Sequence, residues 1–337
     1  MDAEAAKGPT LPARALLHSG ELLFAGAVRA RDWLYENRWL KAHYVQGARV
    51  VSVGNLNVGG AGKTPTVIAL AQRLVGRGAS VAVVSRGYGR ESREDRVVRP
   101  GEWAGASAEE VGDEPLLIAR TCPEVSVWVG AQRARLAQRA ASEVGAEWIL
   151  LDDGMQHRKL ARDLEVVVID ESSGMGNGRM LPRGPLREPI AALNRADLIW
   201  LRSSGGPRAP LPTFPAPVVR VHYGPKEWMT PSGESLSLEA LRGADVVAVS
   251  GIARPASFLR ALEGLGVRVV ESHAFDDHHP FRPAELERLR CAAEARGALL
   301  VTTEKDRVRM PLDFPALSLR METRILSGQD ALDSRLR

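Results

Sequence analysis

Cysteine is scarce in this 337-residue sequence: Cys122 and Cys291 stand far apart, and neither belongs to a CxxC pair. That argues against a disulfide framework or a cysteine zinc site and suits two buried thiols in a reducing compartment. Long apolar runs are missing too. Arg14, His18, Glu21 and Arg29 interrupt the first apolar stretch, and no cleavage-site pattern follows a basic start. Neither a secretory signal nor a spanning helix is therefore predicted. Nor is there a short internal repeat. Charge of one sign is only mildly in excess, 45 Lys and Arg against 41 Asp and Glu, for a net +4 and a pI near 9.3. Such an excess suits an anionic partner (a nucleotide, a phospholipid surface or nucleic acid) without choosing among them.

What is present reads as a soluble globular chain with 45% hydrophobic and 26% charged residues, long enough for about two domains. Residues 11–43 carry a helical period, with Leu16, Leu23, Ala27, Ala30 and Leu34 on one face and Arg14, His18, Glu21, Arg29, Asp32 and Glu36 on another. Trp33, Tyr35 and Trp39 gather at its end beside Arg31, Arg38 and Lys41. Two readings stay open: a helix packed on the core, or an amphipathic helix at a membrane interface, where aromatic and cationic side chains suit the headgroup layer. From residue 49, β-branched runs at 49–54, 80–86, 125–129, 148–152, 165–170 and 197–201 alternate with helical patterns such as 64–76 and 132–144. That alternation predicts a parallel sheet with helices on both faces. The Gly/Pro/Ser-rich stretch 202–218 reads as a linker, followed by a strand at 218–223. A second, smaller α/β pattern has strands at 245–250, 268–271 and 298–302. The expected division is an N-terminal helical segment at 1–44, a nucleotide-binding core at 45–210, a linker at 211–234 and a smaller α/β domain at 235–337. Residues 1–10 read as a loose polar start and 320–337 as a polar tail.

The strongest motif is Gly59-Gly60-Ala61-Gly62-Lys63-Thr64, between the strand VVSVG and the helix TPTVIALAQRL. Glycines let backbone amides turn toward phosphates, and the helix start adds its positive dipole end. Lys63 can reach the β- and γ-phosphates, the Thr64 hydroxyl can hold magnesium, and Pro65 sits in the first helical turn at little cost. The loop departs from GxxxxGK[ST] at Asn57, and Val58 stands where some GGxGK loops carry an extra lysine. The strand WILL runs into Asp152 and Asp153, which makes both carboxylates candidates for magnesium, directly or through water. Gln156 and His157 follow as candidates to orient water or phosphate. Asp113, in VGDEP, reads either as a general base on a hydroxyl or as a helix-capping residue.

Eight segments, VSVGNLNVGGAGKTP, SRGYGR, VGDEP, LDDGMQHRKLARDLEVVVID, GNGRMLPRGPLREP, SGIARPASF, FDDHHPF and TTEKDRVRM, stand in the order seen in tetraacyldisaccharide 4'-kinases, and the chain resembles that family over residues 11–310. The resemblance implies a two-domain α/β fold and transfer of the γ-phosphate of ATP, with Mg2+, to the 4'-hydroxyl of an acylated glucosamine disaccharide 1-phosphate. It also implies a lipid rather than a nucleic-acid partner, and a peripheral place on the cytoplasmic face of the inner membrane. Carried over by motif, Asp113 pairs with His278 as an acid–base dyad, His279 being the adjacent alternative. Arg187, beside Glu188, would stabilise charge on the phosphoryl group. Asn57 and Met155 are mild departures, at positions where Thr and Phe are common. The competing class is a nucleotide-dependent switch or metallochaperone GTPase, for which Thr303-Glu304-Lys305-Asp306 offers a partial match to an NKxD base-reading segment.

Overall fold

The computed structural model describes residues 11–203 and 208–337. The expected polar start at 1–10, and part of the expected linker, lie outside the described residues.

The chain opens with helix α1 (Leu11–Glu36). It then alternates through β1 (Arg49–Gly54), α2 (Lys63–Val75), β2 (Val81–Ser85), β3 (Arg96–Val98), α3 (Ala108–Val111), α4 (Asp113–Thr121), β4 (Ser126–Val129) and α5 (Arg133–Glu143). Strands β5 (Trp148–Asp152), β6 (Leu164–Asp170) and β7 (Leu198–Ser203) complete the first half. The second half holds β8 (Val218–Met229), β9 (Ser235–Leu236), β10 (Asp245–Ser250), α6 (Pro255–Gly264), β11 (Arg268–Ala274), α7 (Pro283–Glu294), β12 (Leu299–Thr303), α8 (Glu304–Arg307), β13 (Ala316–Ser327) and α9 (Gln329–Arg335).

Among the described residues these strands form one sheet, ordered β11-β10-β12-β13-β8-β7-β6-β1-β5-β2-β4-β3, with β9 on β8. Strands β2, β4, β5 and β6 are buried along their whole length. Their Val, Ile and Leu runs are what parallel strands covered on both faces require. Strand β11, at an edge, instead alternates between half-buried and exposed positions. The two halves meet where β8 pairs parallel with β7, and β13 then pairs antiparallel with β8.

The strand order reverses twice. β1 lies between β5 and β6, and β10 lies between β11 and β12. The chain therefore leaves β1 and β10 at topological switch points, the places where open α/β sheets form crevices beyond the carboxyl ends of their strands. The phosphate-loop motif follows β1. The Asp276–His279 turn, which follows β11, borders the second crevice, with the His278 amide 3.3 Å from the Gly251 carbonyl.

Two expectations need correction, and an open reading of α1 is narrowed. Helix α1 stops at Glu36, because Asn37 hydrogen-bonds back to the Trp33 carbonyl through both its backbone and its side chain and Arg38 takes a left-handed φ of 61°. Of the two readings left open for α1, core packing is not made by its leucine stripe: Leu16 and Leu23 are 75% and 77% exposed. The buried side is made by Val28 with Phe24 and Ala25, and the polar residues Glu21 and Asp32 turn inward to Arg183 and Arg195. Finally, residues 320–337 are not a tail. They form most of β13 and all of α9, and Leu332 of α9 and Leu336 just beyond it bury in the core of the first half. Asp333 there pairs with Arg73 of α2 and with Arg77 just beyond its end.

Candidate active site

The phosphate loop is a backbone device. Gly54 must be glycine, since a Cβ there would stand 2.4 Å from the Met155 Cβ. Gly59 and Gly62 take left-handed φ values of 102° and 94°, open to glycine at no steric cost. Gly62 caps α2 with no side-chain cap, so the first amides of the helix keep their donors for an anion. Lys63, Thr64 and Pro65 fill the first turn, and Ala61 and Thr64 are buried. The strand-to-loop connection is tied to the segment 174–188 by three hydrogen bonds. Val58 N donates to Pro185 O (2.7 Å), Asn57 Nδ2 to Gly174 O (2.9 Å) and Arg187 N to Leu56 O (2.7 Å). This stitching brings Arg187 beside the loop.

The two carboxylates ending β5 sit in opposite electrostatic states. Burial pushes the Asp152 carboxyl up, as does the nearby Glu114, while Lys63 opposes them; its Oδ1 has no partner. Burial would raise Asp153 too, but the Arg187 hydrogen bonds and the Lys63 charge override it and hold it below the ordinary carboxylate range. Arg187 grips Asp153 with two parallel bonds (Nη1 to Oδ2 2.9 Å, Nη2 to Oδ1 2.8 Å), and Lys63 Nζ stands 3.7 Å away. Asp153 itself has a left-handed φ of 53°, a strained conformation of the kind that clusters at functional sites. Asn55, at the mouth of β1, ties the group together: its side-chain oxygen accepts from Lys63 (3.2 Å) and from Arg187.

Asp113 is the first residue of α4, yet its side chain does not cap that helix. Its Oδ2 bonds His278 Nδ1 across 165 positions of sequence at 2.9 Å, and Arg309 Nε forms an ion pair with the same oxygen at 3.3 Å. His278 holds a left-handed φ of 63°. The adjacent His279 is directed elsewhere: it bonds Glu285 at 3.0 Å and stacks on Phe275. The structure thus brings Asp113 to His278 and not to His279, and does so across the two halves.

Thr303-Glu304-Lys305-Asp306 is a cap and an ion pair. Thr303 Oγ1 accepts from Asp306 N (3.1 Å) and donates to Asp306 Oδ2 (2.6 Å), while fully buried Asp306 also pairs with Arg309. Asp306 is therefore already engaged inside the protein. Glu188 lies beneath the site, fully buried between Arg31 of α1 (2.6 Å) and Arg195. His157 stays neutral: burial, then the charge of Arg133, pulls its imidazole down to about 4. Gln156 Nε2 donates to Asn55 O (3.1 Å).

Sequence reasoning missed Asn55 and Arg133, and met Lys305 only as part of a partial base-reading match. Asn55 was within reach, since it ends a strand at a switch point. Arg133, whose Nη1 donates to the Asp153 carbonyl at 2.8 Å, carried no local signal. It also lines a cavity of about 1080 Å3 beside the Asp153 turn, with Arg31, Tyr35, Arg86, Arg139 and Lys159.

A model of the tetraacyldisaccharide-1-P 4'-kinase family (LpxK) matches residues 13–337. The tetraacyldisaccharide 4'-kinase of Anaeromyxobacter sp. (strain K) is 46% identical, covering 94% of this chain and 88% of its own. That of Dinoroseobacter shibae is 44% identical, covering 84% and 82%. Among solved structures, the crystal structure of the "apo" form of LpxK from Aquifex aeolicus in complex with ATP superposes with a TM-score of 0.83 at 30% identity, covering 96% of this chain and 98% of that one.

Proposed function

Because this chain belongs to the tetraacyldisaccharide-1-P 4'-kinase family and is an ATP-dependent kinase, we propose that it transfers the γ-phosphate of ATP to the 4'-hydroxyl of an acylated glucosamine disaccharide 1-phosphate, a step of lipid A biosynthesis. The observation that carries this reading is the Asp113–His278 hydrogen bond, which joins the head of α4 in the first half to the turn after β11 in the second.

The work of the protein is positioning and charge neutralisation. The amides of residues 59–64 and the Lys63 ammonium hold the phosphates. Arg187, parked on Asp153, is placed to follow negative charge onto the transferring group. The Asp113–His278 pair orients the attacking hydroxyl and receives its proton as the new O–P bond forms and the bond to the leaving ADP breaks. The donor set fits Mg2+. The unpartnered oxygen of buried Asp152 and the Thr64 hydroxyl are hard ligands, and a cation offsets the burial cost of the Asp152 charge. Asp153, with both oxygens on Arg187, would act through water. When bound, the ion supplies charge neutralisation at the β- and γ-phosphates.

The arginine-rich cavity beside Asp153 suits a phosphorylated sugar. A peripheral position on the cytoplasmic face of the inner membrane accords with α1. No helix among the described residues is long and apolar enough to cross a membrane. Leu16, Leu22, Leu23 and Trp33 nevertheless lie exposed along α1, with Trp39 and Tyr44 just beyond it. No observation favours the switch reading, since Asp306 is spent on Thr303 and Arg309.

The test is transfer of labelled phosphate from ATP to the acylated disaccharide 1-phosphate in detergent micelles with magnesium. Product from the wild type is expected. Folded, ATP-binding protein that transfers nothing to this acceptor would refute the proposal.

A further inference from the structure

We propose that Lys305 is a positioning residue of the phosphotransfer site, which sets the tautomer of His278 and so the direction in which the Asp113–His278 pair can move a proton. The inference rests on the kinase reading above and extends it to a residue outside the phosphate loop and the dyad.

Lys305 is the second residue of α8, delivered by β12 to the edge of the second crevice. Its Nζ stands 2.9 Å from Asp277 Oδ1 and 3.2 Å from His278 Nε2. Asp277 in turn stands 3.8 Å from His278 Nε2 through its other oxygen. Partial burial would raise Asp277, but the Lys305 hydrogen bond outweighs it and holds that carboxyl below its ordinary range, so a carboxylate secures the lysine as ammonium. An ammonium has three donors and no acceptor. The ring nitrogen it touches must therefore be the one that accepts, and Nε2 carries no proton. The single proton of the neutral imidazole then sits on Nδ1 and is donated to Asp113 Oδ2 at 2.9 Å.

This fixes the order of events. His278 has no free lone pair facing the substrate, and it holds Asp113 by donation. Asp113 Oδ2 is taken by His278 and Arg309, which leaves Oδ1 without a protein partner among the described residues. The substrate hydroxyl proton goes to the Asp113 carboxylate as the O–P bond forms, and the electron pair of the broken P–O bond leaves with ADP. Tyr88 lies edge-on to His278, with 5.9 Å between ring centroids. The charged groups that face the pair are thus Asp113, Arg309, Asp277 and Lys305. Without the lysine cation, Asp113 and Asp277 would favour an imidazolium or an Nε2–H ring. Either form leaves Asp113 a weaker or less well held base.

The experiment is nitrogen NMR of the imidazole rings in full-length protein with uniformly labelled histidine, alongside kinetics of Lys305→Met and Lys305→Arg. The His278 signal, one of seven, is assigned by its loss in His278→Gln. The wild-type ring is expected as the Nδ1–H tautomer at neutral pH. In Lys305→Met it is expected to change to Nε2–H or to imidazolium. There kcat should fall about tenfold or more, KM for ATP should stay within about twofold, and the acid limb of the kcat–pH profile should move to higher pH; Lys305→Arg should restore most of kcat. A wild-type ring protonated on Nε2 overturns the proposal without any variant, so misfolding of Lys305→Met cannot protect it. An unchanged ring state and acid limb in folded Lys305→Met overturn it as well, even if kcat falls. A wild type that shows the expected tautomer and its response to Lys305→Met, yet transfers nothing to the lipid, leaves the lysine's role standing and refutes the acceptor instead.

Discussion

The crevice after β1 and the crevice after β10 solve different halves of one problem. The first is built from fixed charge: Lys63, Arg187 and Arg133 surround Asp153, and backbone amides complete the cradle. Nothing there except the burial of Asp152 depends on a proton. The second is built around a titratable ring, with His278 held between Asp113 and Lys305. Phosphates are gripped on one side and a proton is managed on the other. The lesson is that the chemistry belongs to neither half alone, because its central hydrogen bond, His278 to Asp113, crosses between them.

If this division holds, damage to the two crevices should read out differently. The largest effect is expected from Asp113→Asn, which keeps shape and removes the base: kcat should fall roughly 10²- to 10⁴-fold with ATP affinity retained, as single-turnover transfer and nucleotide titration would show. Lys63→Met should cost roughly 10²- to 10³-fold in kcat and weaken ATP binding as well. Equal loss of ATP affinity in the two variants would erase the distinction between the crevices. Glu188→Gln tests the support beneath the first crevice. Leaving Arg31 and Arg195 without their shared buried carboxylate should destabilise the fold by roughly 3–5 kcal/mol, measured by denaturant unfolding.

Much of the first crevice was legible because its parts are local. A glycine loop between a strand and a helix, and an apolar strand ending in two aspartates, each carry their mechanism within a dozen residues. The second was not legible from spacing. Asp113 read equally well as a helix cap, and only the family resemblance joined it to His278. A contact across 165 residues leaves no periodicity behind. Helix α1 left two readings open for a related reason: Glu21 and Asp32 turn inward to arginine partners that sequence does not reveal. The fold class came through because buried parallel strands announce themselves as apolar runs. The C-terminal segment did not, because β13 and α9 are polar stretches whose few anchors, Leu332 and Leu336, bury in a half of the molecule they do not follow in sequence.

Smaller effects sharpen the contrast. His279→Gln should change kcat less than about threefold, since its ring is occupied by Glu285 and Phe275, whereas His278→Gln should approach the loss of Asp113→Asn. Glu304, the first residue of α8 directly after β12, gives a pH signature of the second half. Burial, only partly opposed by Arg320, pushes its carboxyl from 4.5 up to about 7, and its Oε1 accepts from the Tyr223 hydroxyl at 3.3 Å. A carboxyl raised in the folded state binds more protons folded than unfolded, so its contribution to stability is full below about pH 4.5 and is lost as pH rises through about 7. Glu304→Gln should flatten that decline in a series of unfolding curves.

The most direct test of the central claim is a double-mutant cycle on kcat for phosphate transfer to the lipid acceptor, using Asp113→Asn, His278→Gln and the two combined. If the pair acts as one unit across the two halves, the double variant should be about as slow as the slower single variant. Losses that multiply would mean that the two residues act independently, and the hydrogen bond between the halves would then not be the seat of the chemistry.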